Sequence, residues 1–256
     1  MEWQESFGNW VLIPPHPKAV IHFLGGAFVA TAPHLTYRCL LETLANQGYA
    51  VVATPFVNTL DHLAIAKDVL SSFDNCLNHL HTSRMLRKKY LPIYGIGHSM
   101  GCKLHLLIGS FFSVERAGNI LISFNNFAAR DAIPLVEQIS SVMKVEFTPS
   151  PQMTNRLIQK RYQIRRNLLI KFNDDNIDQT LRLSDILRLR FPNMVTVQRL
   201  KGNHLTPLGQ DLAWPTLGEV YTPVDAIGQW VKQEVYRDLN QVKGEILRWL
   251  NPLASV

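Results

Sequence analysis

The stretch from Leu91 to Leu107, LPIYGIGHSMGCKLHLL, constrains the fold more than any other part of the chain. An extended run, Ile93-Tyr94-Gly95-Ile96, passes without a linker into a Leu-rich pattern of helical spacing. The join is Gly97-His98-Ser99-Met100-Gly101, a G-x-S-x-G pentapeptide between a strand and a helix. A serine at so tight a turn takes a strained backbone conformation, and side chains two residues to either side would collide with it. Glycine at 97 and 101 removes both collisions. The turn projects the Ser99 hydroxyl clear of the sheet and leaves the Met100 N–H at a helix N-terminus, where the dipole favours developing negative charge. Phosphate binding through G-x-G-x-x-G is excluded, because Gly95 and Gly97 would need a third glycine where Met100 stands.

Around this unit, strands and helices alternate, the pattern of a largely parallel sheet with helices on both faces. NWVLIPP and AVIHFLGG read as strands, followed by a helix from about Leu35 to Gln47 that stops at Gly48. YAVVATPF is a buried strand, and residues 61–81 form an amphipathic helix capped by Asp61. NILISF, NLLIKF and MVTVQRL are later strands, and a long amphipathic helix beginning at Asp225 closes the chain. No linker composition divides the 256 residues, so one α/β domain spanning 1–256 is expected. About forty residues separate NILISF from NLLIKF, against a usual connection of roughly two to six. The insertion 128–166 is where a cap over the site would sit. Its apolar residues, including Leu135, Val142, Met143, Phe147 and Ile158, could line an acyl pocket or form the cap's own core.

A serine alone is a poor nucleophile, so a base and an orienting acid are expected, in the order serine, acid, histidine and in loops after late strands. Of nine histidines, His204 alone follows the last strand, in KGNHLTP, where Gly202 and Asn203 allow a turn back toward the serine. His22 and His105 lie within elements, His79 and His81 at a helix end, and His98 is turned away by the elbow. His16, His34 and His62 precede the serine. The loop after NLLIKF offers Asp175 as the acid, with Asp174 as its competitor and Asp178 better suited to capping the next helix. The loop after NILISF opens with Asn125 and Asn126 and supplies no carboxylate. A second backbone donor for an oxyanion is expected after AVIHF, where Gly25 and Gly26 allow close approach and Ala27 or Phe28 presents its N–H.

LGGAF, GHSMG, FNDD and GNH, in this order over nearly the whole chain, resemble the α/β-hydrolase superfamily. GHSMG is similar to the elbow of many lipases, esterases and type II thioesterases. The resemblance implies a mostly parallel central sheet flanked by helices, with a cap inserted between late strands. It further implies Ser99 as nucleophile, Asp175 as acid, His204 as base, Met100 and Ala27 as oxyanion donors, and no metal or organic cofactor. HFLGGAFVATAPHLTYRCLLETLANQGYAVVATPF and EFTPSPQMTNRLI with NLLIKFNDDNIDQT resemble, more narrowly, an uncharacterised α/β-hydrolase-like family of cyanobacteria and plastids, which implies a photosynthetic setting. Two positions depart from the superfamily pattern. Gly25-Gly26 stands where His-Gly is usual, and Cys102 follows the elbow in place of glycine or alanine, small enough for close packing and read as unreactive.

The expected activity is cleavage of a small-molecule carboxylic ester or thioester through an acyl-enzyme. Serine at the elbow argues against the Asp-dependent chemistry of dehalogenases and epoxide hydrolases. An acyltransferase would use the same residues, and a binding protein could keep the fold without turnover. A formal charge of +6 is concentrated in RMLRKKY and RLIQKRYQIRRN. These runs read as solvated helix faces that could also meet an anionic membrane surface; no nucleic-acid motif accompanies them. Three scattered cysteines point to reducing conditions. With no apolar run of about 18 residues and no signal-peptide pattern, cytoplasm is the expected location. The oligomeric state is left open.

Overall fold

The computed structural model describes residues 1–27, 29–127, 146–208 and 225–252, those of 225–236 as backbone only. Eight strands form one sheet: β1 (Gln4–Ser6), β2 (Asn9–Leu12), β3 (Ala19–Leu24), β4 (Tyr49–Ala53), β5 (Ile93–His98), β6 (Gly118–Ile122), β7 (Asn167–Phe172) and β8 (Val195–Leu200). Their order is β1-β2-β4-β3-β5-β6-β7-β8. β2 runs antiparallel to β1 and β4, and every pairing from β4 through β8 is parallel. β1 carries no sequence signal, being three residues long and joined to β2 through Phe7 and Gly8, both at positive φ.

The helices are α1 (Pro33–Thr36), α2 (Arg38–Asn46), α3 (His62–Thr82), α4 (Met100–Phe111), α5 (Pro151–Arg161), α6 (Thr180–Arg190) and α7 (Asp225–Leu250), with a 3-10 turn at Thr206–Leu208. The single helix expected over 35–47 is broken at Tyr37, whose backbone leaves helical geometry (φ −116°, ψ 19°) and whose side chain is wholly buried. Asp61 caps α3 as expected, accepting a hydrogen bond from the Ala64 N–H at 2.9 Å. The cap of α6 is Gln179, one residue after the expected Asp178, although the Asp178 carboxylate accepts from the Thr180 N–H at 2.7 Å.

Strand alternation distributes the core over two faces. Ile21, Phe23, Val51, Ile120, Ile122, Leu168 and Ile170 face Leu40, Leu41 and Leu44 of α2 and Leu239, Val242 and Ile246 of α7. On the opposite face, Val20, Ala50 and Val52 meet Phe73, Cys76 and Leu80 of α3. Leu121 and Leu169 there meet Leu106 of α4, Ile158 of α5 and Leu183 and Leu187 of α6. Residues 128–145 of the expected cap lie outside the described residues. Of its remainder, α5 packs between α4 and α6, with Ile158 buried and Met153 exposed. Among the described residues no helix is long and apolar enough to cross a membrane.

Four histidines are buried, His22, His62, His98 and His105, and burial is the first cause that lowers each pKa, to about 3 for the last three. The unfolded chain gains protons below about pH 6.5 while the folded one stays neutral. For His62, His98 and His105 the contribution is therefore complete above that pH and is lost as pH falls toward 3, at about 1–2 kcal/mol per group by pH 5, and His22 acts in the same direction. Thermal unfolding followed between pH 7.5 and 5 is expected to show a steadily falling Tm; an unchanged Tm contradicts the burial of neutral histidines. A second expectation concerns Gly101, where an added Cβ would lie 2.0 Å from the Leu24 carbonyl oxygen of β3. Gly101→Ala is expected to cost about 3 kcal/mol or more, read by urea unfolding.

Candidate active site

The carboxyl ends of β3, β4, β5, β6, β7 and β8 deliver six loops to one cavity, the usual position for a ligand site in a parallel sheet. Ser99, between β5 and α4, has φ 54° and ψ −117°, a conformation costly for any residue with a Cβ. The surroundings hold it there. Its N–H donates to the Ile122 carbonyl at 2.9 Å, and its own carbonyl accepts from the Cys102 N–H at 3.1 Å. A Cβ at Gly97 would come within 2.6 Å of the Cys102 nitrogen, so both glycines of the pentapeptide are required by contact with backbone. Cys102 fastens the same turn: its thiol donates to the Gly97 and Ile122 carbonyls, and burial pushes its pKa well up.

After β7, Asp175 is buried and Asp174 exposed. The Asp175 Oδ2 accepts a hydrogen bond from His204 Nδ1 at 2.8 Å, and its Oδ1 accepts from the Ile177 N–H at 3.2 Å. Burial pushes this carboxyl up, but His204, by hydrogen bond and then by charge, with Ser123 and the Ile177 N–H, brings it below its ordinary value. Asp178 does not reach His204. It binds Thr180 and lies 3.7 Å from Lys171 Nζ, and burial raises its pKa. Asp174 contributes only its N–H, which donates to the Gly202 carbonyl at 3.1 Å. Gly202, at φ 112°, turns the β8 loop, and Thr206 Oγ1 accepts from the Asn203 N–H at 2.9 Å to brace it. With a proton fixed on Nδ1 by a carboxylate, His204 keeps the Nε2 lone pair available.

Two features were not foreseen. Asn125, in the loop read as lacking a carboxylate, donates from Nδ2 to Ser99 Oγ at 3.0 Å. Among the described residues this is the hydroxyl's hydrogen bond, and none joins Ser99 to His204. No sequence pattern identified it, because an asparagine after a strand reads equally well as turn chemistry. His98, expected to point away from the site, borders the same cavity and links two of the site's loops. The Gly26 N–H donates to the Tyr37 hydroxyl at 2.8 Å, that hydroxyl donates to His98 Nδ1 at 2.7 Å, and His98 Nε2–H donates to the His204 carbonyl at 2.9 Å. One neutral tautomer satisfies the whole chain, consistent with a pKa that burial first, and then the charge of His204, lower to about 3. Gly25 accommodates the Tyr37 ring, which a Cβ there would meet at 2.8 Å.

Gly26, Ala27, Ser99, Met100, Asn125 and His204 all line a cavity of about 440 Å³. The Ala27 and Met100 N–H groups have no acceptor among the described residues; Phe28 lies outside them. Also among the described residues, no group of three His, Cys, Asp or Glu side chains gathers to hold a metal ion.

Solved structures share this architecture at low identity. A soluble variant of monoglyceride lipase from Saccharomyces cerevisiae, in complex with a substrate analogue, is 13% identical, with a TM-score of 0.63 over 100% of this chain and 96% of that one. The fluorophosphonate-binding serine hydrolase F of Staphylococcus aureus is 15% identical, with a TM-score of 0.56 over 90% and 91% of the two chains. S-formylglutathione hydrolase from the same organism is 17% identical, with a TM-score of 0.53 over 90% and 92%. No curated protein matches the chain. One family model, described as protein of unknown function DUF1350, matches residues 2–252, so that the chain belongs to that family and carries the α/β-hydrolase fold.

Proposed function

We propose that the protein is a serine hydrolase that cleaves carboxylic esters or thioesters, with Ser99 as nucleophile, His204 as general base and Asp175 as the acid that orients it. The observation that carries this reading is the 2.8 Å pair of buried Asp175 and half-buried His204, opening on the same cavity as a serine held in a strained turn. No structural need of the sheet accounts for all three together.

In the proposed reaction, Ser99 turns from Asn125 to His204, and its oxygen attacks the substrate carbonyl carbon as its proton passes to His204 Nε2. The oxyanion that forms is met by the Met100 and Ala27 N–H groups, two donors without other partners among the described residues, one of them at the N-terminus of α4. The carbonyl re-forms and expels the alcohol or thiol, which takes the proton from His204. Water then attacks the acyl-enzyme by the same route, releasing the acid and restoring Ser99. Asp175, ionised below its ordinary pKa, stabilises the imidazolium at each transfer. Asn125 would hold the hydroxyl between turnovers. The relay from Gly26 through Tyr37 and His98 to His204 acts on position alone: it ties the loop bearing one oxyanion donor to the loop bearing the base.

Covalent labelling by a fluorophosphonate probe tests the reading. Wild type is expected to label, Ser99→Ala to show none, and His204→Ala and Asp175→Asn to label on the order of a hundredfold more slowly or worse. Labelling that survives in Ser99→Ala, or a folded wild type that does not react, overturns it. Tyr37→Phe removes the hydroxyl between Gly26 and His98 and leaves two buried groups unpaired. It is expected to cost about 1–3 kcal/mol in stability and to lower kcat on p-nitrophenyl butyrate more than it raises KM, as a positioning residue should.

A further inference from the structure

The cavity is apolar where Ala27, Val29, Met100, Leu205 and Leu208 line it, but it also presents two buried nitrogen-bearing side chains that the proposed reaction does not use. Lys103 stands four residues beyond Ser99 on α4, about 6 Å along the helix axis, and is 2% exposed. Its ammonium donates to the Pro149 carbonyl at 3.3 Å and lies 5.4 Å from the centre of the Phe147 ring. Among the described residues, one carbonyl leaves two of its three protons without an acceptor. Burial draws its pKa down to about 8, against which the exposed Glu146, not itself lining the cavity, pushes it up. His62, the first residue of α3, is 4% exposed and stacks on the other partner of this corner, Phe147, at 4.2 Å. Neither of its ring nitrogens has a hydrogen-bond partner among the described residues. The carboxamide oxygens of Asn58 and Asn126, at the same cavity, are likewise unpaired there.

Buried donors without acceptors cost free energy, and a buried cation costs more unless an anion answers it. Here both kinds of group face a space large enough for a small molecule, one helical turn from the nucleophile. A neutral hydroxyl could satisfy one donor, whereas an anionic oxygen group accepts from Lys103 and from His62 at once. We propose that this part of the cavity is an anion subsite, so that the ester or thioester taken by the site carries a carboxylate or phosphate held by Lys103 and His62. The identity of the molecule as an ester or thioester rests on the hydrolase reading; the anion subsite itself does not.

Calorimetric titration of Ser99→Ala protein, which cannot turn over substrate, tests the subsite without depending on catalysis. The probes are monomethyl glutarate and monobutyl phosphate, each anionic, against neutral dimethyl glutarate. At least tenfold tighter binding of one anion is expected, and the tighter of the two assigns the group as carboxylate or phosphate. Adding Lys103→Met is expected to bring the preference within twofold. Adding His62→Phe instead, which keeps the stack on Phe147 and removes only the N–H, is expected to lower it at least threefold, and it serves as the second variant should Lys103→Met fail to fold. Equal affinity for all three probes, no binding of any, or a preference unchanged in the substituted proteins overturns the subsite. Fluorophosphonate labelling of wild type separates the two readings: labelling without anion preference leaves the hydrolase and removes the subsite, and anion preference without labelling does the reverse.

Discussion

The approach of α4 to β3, closest where Gly101 meets the Leu24 carbonyl, sets the positions of everything else at the site. Because no side chain separates helix from strand there, the turn carrying Ser99 is forced into positive φ, and the loop after β3 is brought alongside it. The same proximity puts Ala27 and Met100 on one cavity, although they come from loops more than seventy residues apart in sequence. Strain at Ser99 is held by hydrogen bonds to β6 and by the Cys102 thiol, so the turn is held by neighbours on both sides.

Charge is kept scarce and specific inside this frame. Asp175 is ionised because His204 and the Ile177 N–H answer it, while His98, also buried and close to His204, is neutral because burial and that neighbour both oppose a second positive charge. The two histidines thus take separate parts: one offers a lone pair to the cavity, the other spends both nitrogens on holding loops. Lys103 is the exception among the described residues of the cavity, a buried cation with a single carbonyl partner, and it lies on the same helix that begins after Ser99.

Much of this was legible before any coordinates. The pentapeptide located the turn because its two glycines answer a backbone contact rather than a side-chain preference. Strand and helix alternation located the sheet because period-two and period-3.6 patterns are both written in apolar residues. That Asp175 and His204 would meet could be expected because loops after late strands are few. What escaped notice depended on distance between elements. Tyr37 breaks a helix that its neighbours in sequence would continue, since its hydroxyl is needed under Gly26. Asn125 looks like turn chemistry until Ser99 lies 3 Å away. Lys103 and His62 each sit in a helix with ordinary spacing, and only the packing of α3 beside α4 brings them to one corner.

The hydrogen-bonded chain through His98 also bears on how substitutions in this protein would be read. A survey scoring turnover alone would class His98 with the chemistry, since its loss would release two loops of the site together. Yet both ring nitrogens are already engaged, by Tyr37 and by the His204 carbonyl, and proton inventory or nucleophile titration would find the ring silent. The residue beside Ser99 is in this sense a hinge pin: its effect on rate would come from the alignment of parts that it does not itself chemically engage.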